Sequence, residues 1–115
     1  MTKNKRYSKN EFRYNYYTNH TNYIFEEDGN NYHSLGLTHQ RKTFDNRNNK
    51  WRKNLPLFNN PNKKDNSKSY VRYGVITQNR KTFSNSVDNR FMFSENDMPK
   101  VKSIVRKYKT VRHKQ

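Results

Sequence analysis

Apolar residues fall into three patterns along this chain, each pointing to a different element. In NYIFEEDGNNYHSLGLTHQ, residues 22–40, two apolar runs flank Asp28-Gly29, a dipeptide suited to the positive φ of a tight hairpin, so two strands are expected here. Period-2 alternation in the second run places His33, Leu35, Leu37 and His39 on one face and Tyr32, Ser34, Gly36 and Thr38 on the other. The two leucines turn the first face toward the core and leave the histidines at the ends of the buried stripe. SYVRYGVIT, residues 69–77, has the β-branched and aromatic content of another strand, and RFMF, residues 90–93, reads as a strand or a packed edge. Near the C-terminus the period changes. Met98, Val101, Val105 and Tyr108, with Ile104 beside them, form the single stripe of an amphipathic helix. Asp97 is the preferred cap over Ser94, because it puts Pro99 in the first turn, where a missing N–H does no harm.

Two regions lack a period. Residues 1–22 show neither alternation nor a helical repeat and read as a mobile basic-aromatic arm. Residues 45–69, rich in Asn, Lys and Pro, read as a long loop anchored at Leu55–Phe58, and long loops in small domains are often functional. The expected fold is therefore α+β: a small twisted antiparallel sheet with a C-terminal amphipathic helix and a disordered basic N-terminal arm. Residues 1–22 form the arm, 23–109 the single domain and 110–115 a basic tail.

Composition sharpens this picture in two ways. Leu, Ile, Val and Phe make up only 20 of 115 residues, a level at which a charged chain becomes a candidate for disorder. Nine Tyr, seven Phe and one Trp oppose that, since large rings bury much area per residue. The net charge of +16 is self-repelling unless an anionic partner meets it, and nucleic acid is the leading candidate. The cations avoid residues 14–40, which hold the acidic run Glu26-Glu27-Asp28. They concentrate in the leader, in the middle from Arg41 to Arg72, and in the tail. With no cysteine, disulfides, thiolate catalysis and Cys-ligated zinc are excluded. No apolar run approaches a membrane span and no apolar region follows the basic N-terminus, so a cytoplasmic protein with no membrane partner is expected.

Three constellations carry candidate chemistry. YHSLGLTHQRKTF, residues 32–44, is nearly repeated as YVRYGVITQNRKTF, residues 70–83, giving two basic turns, Arg41-Lys42-Thr43 and Arg80-Lys81-Thr82. A guanidinium, an ammonium and a hydroxyl in sequence can grip phosphate oxygens, so the two copies are read as a paired backbone clamp. His33 and His39 lie beside the first turn. Imidazole suits both proton transfers of metal-free RNA cleavage, in which a base takes the 2′-hydroxyl proton, a cation steadies the phosphorane and an acid protonates the leaving 5′-oxygen. His20 and His113 fall in segments expected to be mobile. In NPNKKDNSKSYV, residues 60–71, Lys63, Lys64 and Lys68 offer charge and Ser69 and Tyr70 sit where loop meets strand. Arg47, Trp51 and Arg52 join these as nucleic-acid contacts. Metal chemistry is not expected: Asp45, Asp65 and Asp88 are scattered, and neither an HExxH spacing nor a phosphate-cradling glycine loop occurs.

YHSLGLTHQRKT followed by NPNKKDNSKSYV resembles the compact cores of small bacterial toxin endoribonucleases of the barnase-like and RelE-like group, over residues 32–71. The resemblance implies a basic, metal-independent enzyme with no cofactor, with His39 or His33 as base, Arg41 and Lys42 as transition-state cations, and Ser69 or Tyr70 as a further polar group. RNA is the expected partner, with an antitoxin, protein or RNA, as a further candidate. One departure is plain: barnase-like enzymes usually use a carboxylate base, and no acidic residue here is placed for that role. The function expected from the sequence is RNA binding with metal-independent endonucleolytic cleavage by 2′-hydroxyl attack. The catalytic set is His39, His33, Arg41, Lys42 and Tyr70, and the RNA-binding set is Arg80, Lys81, Lys63, Lys64, Lys68, Ser69, Arg47, Trp51 and Arg52. The alternatives are a non-catalytic binder of RNA or DNA, of phage, plasmid or ribosome-associated type, and a protein whose basic face covers an acidic protein surface.

Overall fold

The structure is a computed structural model that describes residues 5–113. Its strands, all paired antiparallel, are β1 (Arg6–Asn15), β2 (His20–Asp28), β3 (Asn31–Thr38), β4 (Lys42–Asp45), β5 (Lys50–Lys53), β6 (Leu55–Pro56), β7 (Tyr70–Val71) and β8 (Ile76–Asn79); a 3₁₀ turn at Arg80–Thr82 and the helix α1 (Met98–His113) follow. The main sheet runs β1-β2-β3-β7-β6 with β8 also against β3, and β4-β5 form a separate two-stranded ribbon. This is the α+β arrangement expected, an antiparallel sheet with one C-terminal helix.

The β2–β3 hairpin closes at Asp28↔Asn31, with Gly29 at φ 60° as the first of two turn residues. β3 is the centre of the molecule: every residue from Tyr32 to Leu37 is buried. Its Leu35 and Leu37 face α1 in a cluster with Phe12, Tyr23, Phe25, Leu57, Val71, Phe93 and Val101, while Tyr32 packs with Ile24 and Phe83 in a second cluster. Both faces of β3 are thus covered, so its alternation separates two cores rather than core from solvent. Of the twelve buried apolar residues among those described, six are aromatic, which is how a chain so poor in aliphatics closes a core. The helical stripe is as the spacing predicts: Met98, Ile104, Val105 and Tyr108 pack around Val101. Asp97 sits at the helix start, its carbonyl accepting from Val101 N–H. Its fully buried carboxylate accepts from the backbone N–H of Phe58 and Asn59 at 2.7 and 3.0 Å, with Lys100 of α1 3.7 Å away. Burial pushes this carboxyl up, but those two N–H groups, the Ser94 hydroxyl and Lys100 outweigh it and hold it below the ordinary range.

The structure corrects four expectations. Residues 6–15 are not a mobile arm but an edge strand, with Phe12 buried in the main cluster; residues 1–4 lie outside the described residues. A register shift between Ser8 and Glu11 breaks the alternation that would have revealed it. The long loop expected over 45–69 instead contains β5, which pairs with β4 in register Phe44↔Trp51. SYVRYGVIT is not one strand: β7 and β8 pair with opposite ends of β3 and are separated by residues 72–75, where Gly74 takes φ 79°. The helix continues through His113 into the segment expected as a basic tail, of which residues 114–115 lie outside the described residues.

Candidate nucleic-acid interface

The two Arg-Lys-Thr copies do not form one clamp. Arg41 follows the C-terminal end of β3, and Lys42 and Thr43 open β4. Arg80, Lys81 and Thr82 form the 3₁₀ turn just after Asn79, which pairs with Asn31 at the N-terminal end of β3. An eight-residue strand therefore separates them, about 25 Å at its ordinary rise. Shared letters gave the two copies different partners: the first is drawn into a ribbon, the second into a turn beside the acidic hairpin.

That hairpin end is electrically matched. Arg6 and His33 meet Asp28 at 3.4 and 3.0 Å, Arg80 and Lys9 meet Glu27 at 3.5 and 4.0 Å, and Lys109 and Arg112 meet Glu26, the first at 3.6 Å. Hydrogen bonding from His33 leads in holding Asp28 below the ordinary carboxylate range, burial opposes it, and Arg6 adds to the lowering. His33, expected as a catalytic base, is spent here. It is buried, its Nε2–H donates to Asp28, and its Nδ1 lies 2.7 Å from the Thr77 hydroxyl and 3.4 Å from the Tyr108 hydroxyl. The ligand atoms of Glu26, Asp28 and His33 lie within 4.8 Å of one another, near enough for a metal. However, Arg112 and Lys109 already neutralise Glu26, so the arrangement acts as a clamp holding the end of α1 against the sheet.

The segment 41–72 is the opposite. It holds ten Lys and Arg against two carboxylates, and among the described residues only Arg52 has a carboxylate partner, Asp45 at 3.0 Å. The β4–β5 ribbon and its turn carry half of these cations, Lys42, Arg47, Lys50, Arg52 and Lys53. At its tip Asp45 accepts from Arg47 N–H, Asn48 N–H and the Asn48 side-chain amide, fixing a turn in which Asn49 takes φ 52°. Hydrogen bonding from the Asn48 amide leads, with burial opposing and Arg52 assisting, in lowering the Asp45 carboxyl to about 2. At its base the buried Asn54 donates to Gln40 O and Thr43 Oγ1 and accepts from Tyr73 N–H. These bonds hold a ribbon that two strands alone would barely stabilise. Trp51 lies edge-on to Phe44 with centroids 5.3 Å apart, yet remains 65% exposed. Arg52 and Arg72 both lie over the Tyr73 ring, at 5.6 and 4.8 Å.

Three hollows adjoin this region. Arg41, Lys42 and Tyr70, three of the five expected catalytic residues, line one of about 420 Å³ together with Lys53, Asn54 and Pro56. His39 lies elsewhere, in a cleft of about 170 Å³ with His20, Tyr14, Thr38, Asp65 and Ser69. Lys63 and Lys68 line a third hollow, of about 440 Å³, which shares Asn60, Asn62, Asp65 and Ser69 with the His39 cleft. Ser69 is buried and Lys64 exposed. The expected catalytic set is therefore divided: Arg41, Lys42 and Tyr70 meet, His39 faces the neighbouring cleft, and His33 is buried at the far end of β3. His20, expected in the mobile arm, is the first residue of β2 and lines the same cleft as Thr38 and His39. Comparison with protein-family models, curated proteins and solved structures finds no match to this chain. Among the described residues, no helix is long and apolar enough to cross a membrane.

Proposed function

We propose that the protein binds single-stranded RNA on the side formed by the β4–β5 ribbon and the 63–68 loop. The observation that carries this reading is the segregation of charge: within 41–72, nine of ten cations have no carboxylate partner among the described residues and Trp51 is exposed, whereas the cations around the β2–β3 turn are matched. Unmatched cations release counterions when phosphate displaces them, and an exposed indole offers a stacking face to any unpaired base. Arg41, Lys42 and Lys53 at the ribbon base supply a cationic hollow sized for a sugar-phosphate unit. Lys63, Lys64 and Lys68 extend the track, while Arg80, paired with Glu27, stands outside it. Binding of labelled single-stranded RNA to a Lys42→Ala/Arg47→Ala/Lys50→Ala variant tests the reading. Affinity should fall at least tenfold at about 0.1 M salt, and unchanged affinity would refute it.

Endonucleolytic activity of the toxin type is a second reading. It is favoured by His20 and His39 lining one cleft next to Lys63 and Lys68, and it requires the acid and base to be chosen anew, because His33 is not available for either.

A further inference from the structure

We infer that a hollow between the second half of α1 and the sheet is a binding site for a small amphipathic carboxylate with an aliphatic body. The site stands apart from the RNA track and does not depend on it; Lys53 is the one residue that lines both this hollow and the one at the ribbon base.

The hollow follows from the way β3 is shared. β7 pairs with β3 at Leu37 and Thr38 and β8 pairs with it from Asn31 to Ser34, so Leu35 and Gly36 fall between the two. Residues 72–75 bridge that interval, turned by Gly74 at φ 79°, where a Cβ would meet nothing within 4 Å. Ile104, Tyr108 and Val111 of α1 line the space together with Leu35, Leu55 and Val71 of the sheet. Its volume is about 490 Å³, within the roughly 300–1,000 Å³ of most small-molecule sites. Val111, in the last turn of α1, remains 51% exposed there.

The lining selects the ligand. Besides Gly74 it consists of six aliphatic side chains, two tyrosines and three cations, with no carboxylate, amide, imidazole, Ser or Thr among them. A nucleobase would leave the polar atoms of its edges without partners against such walls, a cost that an aliphatic body does not incur. The cations are Lys53 from the end of β5, Arg72 from the loop after β7 and Lys107 from α1. None has a carboxylate partner among the described residues. Arg72 is held by stacking: its guanidinium lies 4.8 Å from the Tyr73 ring centroid, and Tyr73 N–H donates to Asn54 Oδ1. Like charges brought from three elements to the edge of an apolar hollow repel one another. A carboxylate head relieves that repulsion while its tail removes the aliphatic walls from water.

The test titrates the full chain with sodium octanoate, sodium decanoate and decyltrimethylammonium bromide, each below micelle formation, by calorimetry and methyl NMR. Decanoate should saturate one site, with shifts at the Leu35, Val71, Ile104 and Val111 methyls. Each buried methylene is worth about fourfold in affinity, so decanoate should bind about fifteenfold more tightly than octanoate. The ammonium should show no saturable binding. Lys107→Glu and Val111→Glu, both at exposed positions, should each weaken decanoate at least about tenfold with the urea midpoint unchanged. Equal binding of the ammonium, affinity indifferent to both substitutions, or absence of saturation would overturn the site. Shifts centred instead on Phe25, Val101 and Val105, which line a different hollow, or spread over the exposed lysines as for an adventitious additive only, would overturn it too.

Discussion

The two ends of β3 have the same kinds of residue and opposite electrostatics. At its N-terminal end Arg6, Lys9, Arg80, Lys109, Arg112 and His33 converge on Glu26, Glu27 and Asp28. At its C-terminal end Arg41, Lys42, Lys53 and Lys68 stand without a carboxylate among the described residues. The difference teaches which basic residues hold the molecule together and which are left for something outside it. A net charge of +16 does not say where the excess resides; the pairing does.

The largest effect should come from breaking the matched end. Glu26→Ala leaves Arg112 and Lys109 facing a partly buried void and should cost about 3–5 kcal/mol of stability in urea titration. RNA affinity of the folded protein should stay the same. Removing the Asp97 carboxylate, which anchors Phe58 and Asn59 N–H groups, should cost about 3 kcal/mol by the same measurement. At the unmatched end the pattern reverses: Trp51→Ala should weaken RNA binding by about 1–3 kcal/mol, read by anisotropy, with little change in the urea midpoint. The smallest effect is one of pH. Asp45 has a lowered folded-state value, so its contribution to the ribbon is full above the ordinary carboxyl range and is lost as pH falls through about 2. Trp51 fluorescence should therefore hold steady from neutral pH to about 4 and change only near the lower value.

How much of this was legible beforehand follows from where the physics is local. The β2–β3 hairpin and α1 announce themselves because Gly29, the flanking alternation and the Met98–Tyr108 stripe act within a few residues of one another. β1 did not, because an edge strand needs only one buried ring, Phe12, and a bulge disturbs its period. The ribbon was hidden because each strand offers a single apolar residue, Phe44 or Trp51, and its stability comes from Asp45 and Asn54; Asn48-Asn49 between KTF and WRK was the available signal. In the candidate site, Arg41, Lys42 and Tyr70 line one hollow, and each stands at a strand end. The Arg-Lys-Thr repeat misled because likeness of sequence carries no information about which side of a strand each copy meets. The sequence does not show that His33 is buried or that His20 reaches a cleft, because burial and cross-strand neighbours are set by Thr77, Asp28 and Thr38, residues remote in sequence or in the partner strand.

The central claim is most directly tested by the salt dependence of RNA affinity. For single strands the slope of log K against log salt is about −0.7 per phosphate contact. The account predicts a steep negative slope that becomes shallower by about 2 units in the Lys42→Ala/Arg47→Ala/Lys50→Ala variant and is unchanged by Arg6→Ala or Arg80→Ala. A slope near zero, or one that flattens only when the matched arginines are removed, would contradict it.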